Sequence, residues 1–81
     1  SMTVDDWVFE AVEQHGKAGA TLRDVQRHID EHRYEELAVD TLEAALEALV
    51  AQGRLVQNGA RWLVASRTSK EDALKKLFGD A

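Results

Sequence analysis

The sequence contains no cysteine, which excludes disulfide staples, cysteine metal sites and thiol chemistry and fits a reducing compartment. Proline is also absent, so boundaries between elements are marked by glycines and polar caps instead. No apolar run approaches the length of a membrane span or of a signal-peptide core, and a cytoplasmic location is expected. No internal repeat and no low-complexity segment occurs. Ser1 in front of Met2 reads as a scar of tag removal and carries no argument. Eighty-one residues leave room for one core, and a chain of this size buries only about 60 to 65% of its unfolded surface. A deep catalytic cleft is hard to build on that scale. No nucleophile, base and orienting group converge on a recognisable motif, so neither an enzyme nor a cofactor is expected.

What is present is an ordinary globular composition, 44% hydrophobic and 31% charged, with a net charge of -5 that is unevenly spread. Residues 1–50 carry twelve acids against four bases, a balance of -8, whereas residues 51–81 carry six bases against three acids, a balance of +3. The two parts of the chain therefore offer different fields to a partner.

Hydrophobic spacing predicts four helices and one hairpin. Thr3 with Asp6 reads as an N-cap with an acid in the first turn, and Val4, Trp7, Val8, Ala11 and Val12 recur at helical spacing up to a stop at Gly16. Lys17 to Ala20 forms a connection. Thr21 with Asp24 repeats the cap, and Leu22, Val25 and Ile29 make a narrow stripe in a second helix to about Arg33. Residues 34–39 read as a turn with Tyr34, Leu37 and Val39 pointing inward. Asp40 with Glu43 is expected to cap a third helix, in which Leu42, Ala45, Leu46 and Leu49 face the core before Gly53. The period then changes. Leu55 to Gln57 and Arg61 to Val64 flank Asn58-Gly59, the signature of a hairpin whose type I′ turn needs positive φ at both central residues. Ser66 to Ser69 reads as a polar link, and Ser69 with Asp72 opens a last amphipathic helix carrying Ala73, Leu74, Leu77 and Phe78. The fold class expected is α+β, mainly α, with a domain over residues 3–65 and a helix over residues 69–78 that packs on the domain or at a dimer or partner interface.

Three short helices, the stretch Leu49-Val50-Ala51-Gln52-Gly53-Arg54-Leu55 and a hairpin ending Arg61-Trp62-Leu63-Val64 resemble the winged-helix family. Asp40 to Leu49 looks like its third helix, with Thr41 at the opening and Leu42, Leu46 and Leu49 inward. The resemblance spans roughly residues 4–65 and implies a three-helix core with a short wing. It also implies a recognition module of transcription or of another DNA transaction. In DNA-binding members the exposed face of the third helix enters the major groove, and here that face would be Asp40, Glu43, Ala44 and Glu47. Three carboxylates oppose a duplex carrying about one phosphate charge per ~1.7 Å of axis, where Arg, Lys, Asn or Gln are the usual readers. That departure favours a protein partner, a basic one in particular, over nucleic acid at this helix.

An alternative docking on DNA would use Arg54, Arg61, Arg67, Lys70, Lys75 and Lys76 as candidate phosphate contacts on the wing side and the last helix. The same charges also serve to keep a hairpin edge soluble. Leu74, Leu77 and Phe78 are candidate oligomer or partner contacts, and a homodimer is one use of such a helix that the resemblance suggests. His28-Ile29-Asp30-Glu31-His32 matches the H-x-x-E-H pattern of inverted zinc proteases, with Asp24 one turn earlier. Ile29 belongs to the core stripe, however, and no distant third ligand stands out. The pattern is read as exposed helix polarity, without a metal. Trp7 and Trp62 are expected to be largely buried core residues.

Overall fold

The structure, a computed structural model, describes residues 1–79, without the side chains of residues 67–71. Helix α1 (Val4–Glu13) leads through a 3-10 turn (Gly16–Ala18) to strand β1 (Ala20–Thr21). Helices α2 (Leu22–Arg33) and α3 (Val39–Ala51) follow, then strands β2 (Leu55–Asn58) and β3 (Arg61–Val64) and helix α4 (Ala65–Phe78). The described residues thus form a mainly helical α+β fold with a three-stranded antiparallel sheet in the order β1-β3-β2.

The first two helices begin as their sequences predict. Thr3 Oγ1 accepts the amide of Asp6 at 3.2 Å while the Asp6 carboxylate accepts the amide of Thr3 at 2.9 Å. The same reciprocal pair joins Thr21 and Asp24, at 3.1 and 2.9 Å. Each box satisfies amides that a helix N-terminus otherwise leaves without partners. Both acids are held below their ordinary pKa, first by the hydrogen bond from the threonine amide, which favours the charged carboxylate.

Helix α3 begins differently. Its N-cap is Ala38, with no side-chain cap, so Asp40 stands inside the first turn and does not cap with Glu43. There it still meets the positive end of the helix dipole. The connection before it also departs from expectation. Tyr34 closes α2 in the left-handed conformation (φ 55°) and is 91% exposed, and Val39 is 42% exposed, so only Leu37 of the three packs toward the core. A left-handed residue turns the chain sharply and here aims the ring outward.

The core is the meeting of three helical stripes with the sheet. Val8, Ala11 and Val12 of α1, Val25 and Ile29 of α2, and Leu42, Ala45, Leu46 and Leu49 of α3 are buried together with Ala20, Leu55 and Val64. The spacing anticipated these helical positions. Trp7 and Trp62 are only half-buried and lie against the margin of this cluster beside Phe9 and Leu22. Trp7 keeps one side under the Arg33 guanidinium, 5.7 Å from the ring centroid, rather than inside the core.

The hairpin register corrects the expected turn. Asn58 pairs with Arg61, so the two central residues are Gly59 and Ala60. Only Gly59 has positive φ, at 61°, which is the pattern of a type II′ turn with glycine first. Asn58 thereby keeps its place in the ladder, and the Gln57 side-chain amide donates to the Gly59 carbonyl at 3.1 Å.

Strand β1 is an addition to the expected elements. Its two residues pair with the other side of β3, Ala20 with Trp62 and Thr21 with Arg61. Its entry is shaped by Gly19, buried at φ 78° and ψ 172°, where a β-carbon would stand 2.8 Å from the Trp62 carbonyl oxygen and 2.9 Å from Leu63 Cγ.

The polar link expected over residues 66–69 is helical. Helix α4 starts at Ala65, directly after β3, with Val64 as N-cap and no side-chain cap. Fourteen residues make about 21 Å of helix, and the molecule measures 44 Å along its long axis against 25 and 22 Å across. Leu74 is 50% exposed, and Leu77 and Phe78 are each 75% exposed. The end of this helix is not docked on its own core.

Candidate interaction surfaces

Because Leu42, Ala45, Leu46 and Leu49 turn inward, the intervening positions of α3 must turn outward. Asp40, Glu43, Ala44 and Glu47 are all exposed, as the helical spacing predicts. No base occurs anywhere in Val39–Ala51. Between α1 and α3 lies a shallow depression lined by Val4, Asp5, Asp40, Thr41, Ala44 and Ala45. Its walls combine short side chains with two carboxylates. Asp5 is therefore a member of the surface that spacing on α3 alone missed.

A second acidic area surrounds the end of α2, where Asp30, Tyr34, Glu35 and Glu36 line a further depression. The exposed tyrosine among three acids was hidden from the sequence because an aromatic three residues before Leu37 reads as core. It extends the negative character of the domain beyond α3.

The bases behave unlike the acids. Arg54 and Arg61 occupy opposite ends of the hairpin, before Leu55 and next to the turn, which four extended residues separate by about 10 Å or more. Each has an intramolecular task. The Arg54 guanidinium lies 4.5 Å from the Phe9 ring centroid, a cation–π arrangement. Arg61 Nη1 donates to the Gly19 carbonyl at 3.1 Å. Lys75 and Lys76 are exposed in the last turn of α4. Arg67 and Lys70 fall among the side chains outside the description. Arg54 and Arg61 are thus not gathered into one patch.

The H-x-x-E-H stretch forms a cluster of another kind. His28 and His32, one turn apart on α2, stack with ring centroids 4.1 Å apart and planes 16° from parallel. His15, Asp24, Arg27, Glu31 and both histidines line one small cavity, with His15 Nε2 3.9 Å from Asp24 Oδ1. His32 Nδ1 and His15 Nδ1 lie within hydrogen-bonding distance of the carbonyls of His28 and Ala11, at 3.0 and 3.1 Å. His28 Nε2 is buried without a hydrogen-bond partner. Burial, and next the neighbouring His32, hold the His28 imidazole below its ordinary pKa. Among the described residues no group of three or more His, Asp or Glu is arranged to hold a metal ion. Among them too, no helix is long and apolar enough to cross a membrane.

Comparison of the chain with protein-family models, with curated proteins and with solved structures finds no match.

Proposed function

We propose that this chain is a non-catalytic winged-helix recognition module of the transcription or DNA-transaction machinery, contacting a protein partner through the outward face of α3, with α4 as a second contact surface. The order α1-β1-α2-α3-β2-β3, with β3 central, supports the winged-helix reading. The observation that carries the partner class is the charge of α3. Its exposed face holds Asp40, Glu43 and Glu47, and its thirteen residues include no cation. Such a face repels phosphates and attracts lysine- or arginine-bearing surfaces, speeding encounter with a basic protein segment. Arg54 and Arg61, the wing-side candidates for phosphate contact, are instead occupied by Phe9 and Gly19.

The test is an NMR titration with a lysine-rich peptide and, separately, with a mixed-sequence duplex at low salt. Binding of the peptide with shifts at the amides of Asp40 to Glu47, weakened by Glu43→Lys and Glu47→Lys, supports the reading. Duplex binding with shifts at Arg54, Arg61 and α4, no peptide binding, and an affinity that falls steeply with salt would replace it by the DNA-docking alternative.

A further inference from the structure

We infer that the α3 face receives a second copy of this chain, whose α4 seats Phe78 in the depression between α1 and α3 and brings Lys75 to Asp40 and Asp5. This rests on the reading of α3 as a protein-docking face and adds the identity of its occupant.

Three observations converge on it. Leu74, Leu77 and Phe78 stand at i, i+3 and i+4 on α4, and all three are exposed. That spacing places them on one side of the helix. The depression supplies what such a side needs: short walls at Ala44 and Ala45, an apolar contact at Val4, and carboxylates at Asp5 and Asp40. Charge selects the partner. Residues 1–50 sum to -8, whereas the sequence of α4, Ala65–Phe78, holds four bases and two acids, so the acidic body of one copy attracts the basic last helix of another. Lys75 precedes Phe78 by three positions, close enough on the helix for the anchor and the cation to reach one site together.

Each copy carries both halves of the contact. Reciprocal docking of α4 on the partner's α3 therefore forms it twice around one two-fold axis and closes as a dimer. The length of α4 and the exposure of its last turn leave that turn clear of its own core, as an exchange between copies requires.

The absence of cysteine permits a direct test on the full chain. A nitroxide attached at Lys76→Cys is mixed with an isotope-labelled, spin-free copy, and intermolecular broadening is read at each amide. Broadening at Asp40, Thr41 and Ala44 is expected. Sedimentation equilibrium should show self-association that weakens with salt. Phe78→Ala or Lys75→Glu should weaken it at least about tenfold, the loss expected of an anchor or its paired charge. Combining Lys75→Glu with Asp40→Lys should restore it, with amide spectra establishing that each variant keeps its fold. A chain that remains monomeric at low salt, broadening confined to the partner's Leu74 to Phe78, or a charge swap that restores nothing overturns the inference. For a chain that proves monomeric, the peptide titration separates the two readings: if the lysine-rich peptide still shifts Glu43 and Glu47, the docking face stands with another occupant, and if it does not, both fall.

Discussion

The carbonyl oxygen of Trp62 occupies the space that a side chain at residue 19 would need, 2.8 Å from the position of a β-carbon on Gly19. The backbone there, at φ 78° and ψ 172°, also lies in a region reserved almost wholly for glycine. Gly19→Ala therefore meets both strain and a backbone clash, and a loss of about 3 kcal/mol is expected. Gly59 is the control, since its φ is 61° but nothing lies within 4 Å of a β-carbon there. Gly59→Ala should cost only about 1 kcal/mol. Denaturant unfolding of both variants checks the difference, and equal losses would contradict the close approach.

The capping boxes give a second expectation. Thr21→Ala removes the hydroxyl that accepts the Asp24 amide and should cost about 1 kcal/mol. Because the Asp24 pKa is lowered in the fold, its contribution to stability is present above the ordinary value of 3.8 and is lost as pH falls below it through the folded value. Thermal melts of wild type and Asp24→Asn, which removes the charge that the Thr21 amide favours, should converge as the solution is acidified through that window. A difference independent of pH would detach the cap from the carboxylate.

His28 predicts a pH dependence in a higher window. Its pKa is lowered from 6.5, by burial first and then by His32, with Glu10 opposing and His15 and Arg33 adding smaller effects. The unfolded chain then takes up a proton at a pH where the folded chain does not. Stability is full above 6.5 and declines as pH falls from there toward the folded value. His28→Gln should flatten that slope. An unchanged slope in melts between about pH 7.5 and about pH 5 would show that His28 does not carry it.

The two hairpin arginines are expected to act on stability. Arg54→Ala removes the guanidinium from the Phe9 ring and should cost about 0.5 to 1 kcal/mol. Arg61→Ala removes the donor to Gly19, with a loss of about 1 kcal/mol. Melting temperatures read both. A large fall in duplex affinity with unchanged stability would instead place these side chains on DNA.

Helix cores, both capping boxes and the existence of the hairpin were legible because each rests on local chemistry: a stripe at helical spacing, a threonine three residues before an aspartate, a glycine at a tight turn. The outward set Asp40, Glu43, Ala44 and Glu47 followed from the same periodicity. Other features depended on long-range contacts. Two residues of β1 carry no periodic signal and exist because β3 offers them a partner. The turn moved by one residue because pairing of Asn58 with Arg61 decides which residues remain for the loop. Tyr34 and Val39 looked apolar enough for the core, but Tyr34 is itself the left-handed residue that closes α2, and Val39, after the turn it makes, is exposed as well. Asp5 joined the α3 surface only through the packing of α1 beside α3.

The pairing of Ala20 with Trp62 has a consequence for the order in which the molecule assembles. The partners stand 42 positions apart in the sequence, and all of α2, α3 and β2 lie between them. Local helices can form quickly, but the central strand cannot be flanked on both sides until a large loop has closed, which makes this closure a slow step. A nascent chain leaving the ribosome would hold three unfinished helices until β3 emerges. Amides of β3, protected from both edges, should then be the last to exchange in the finished protein.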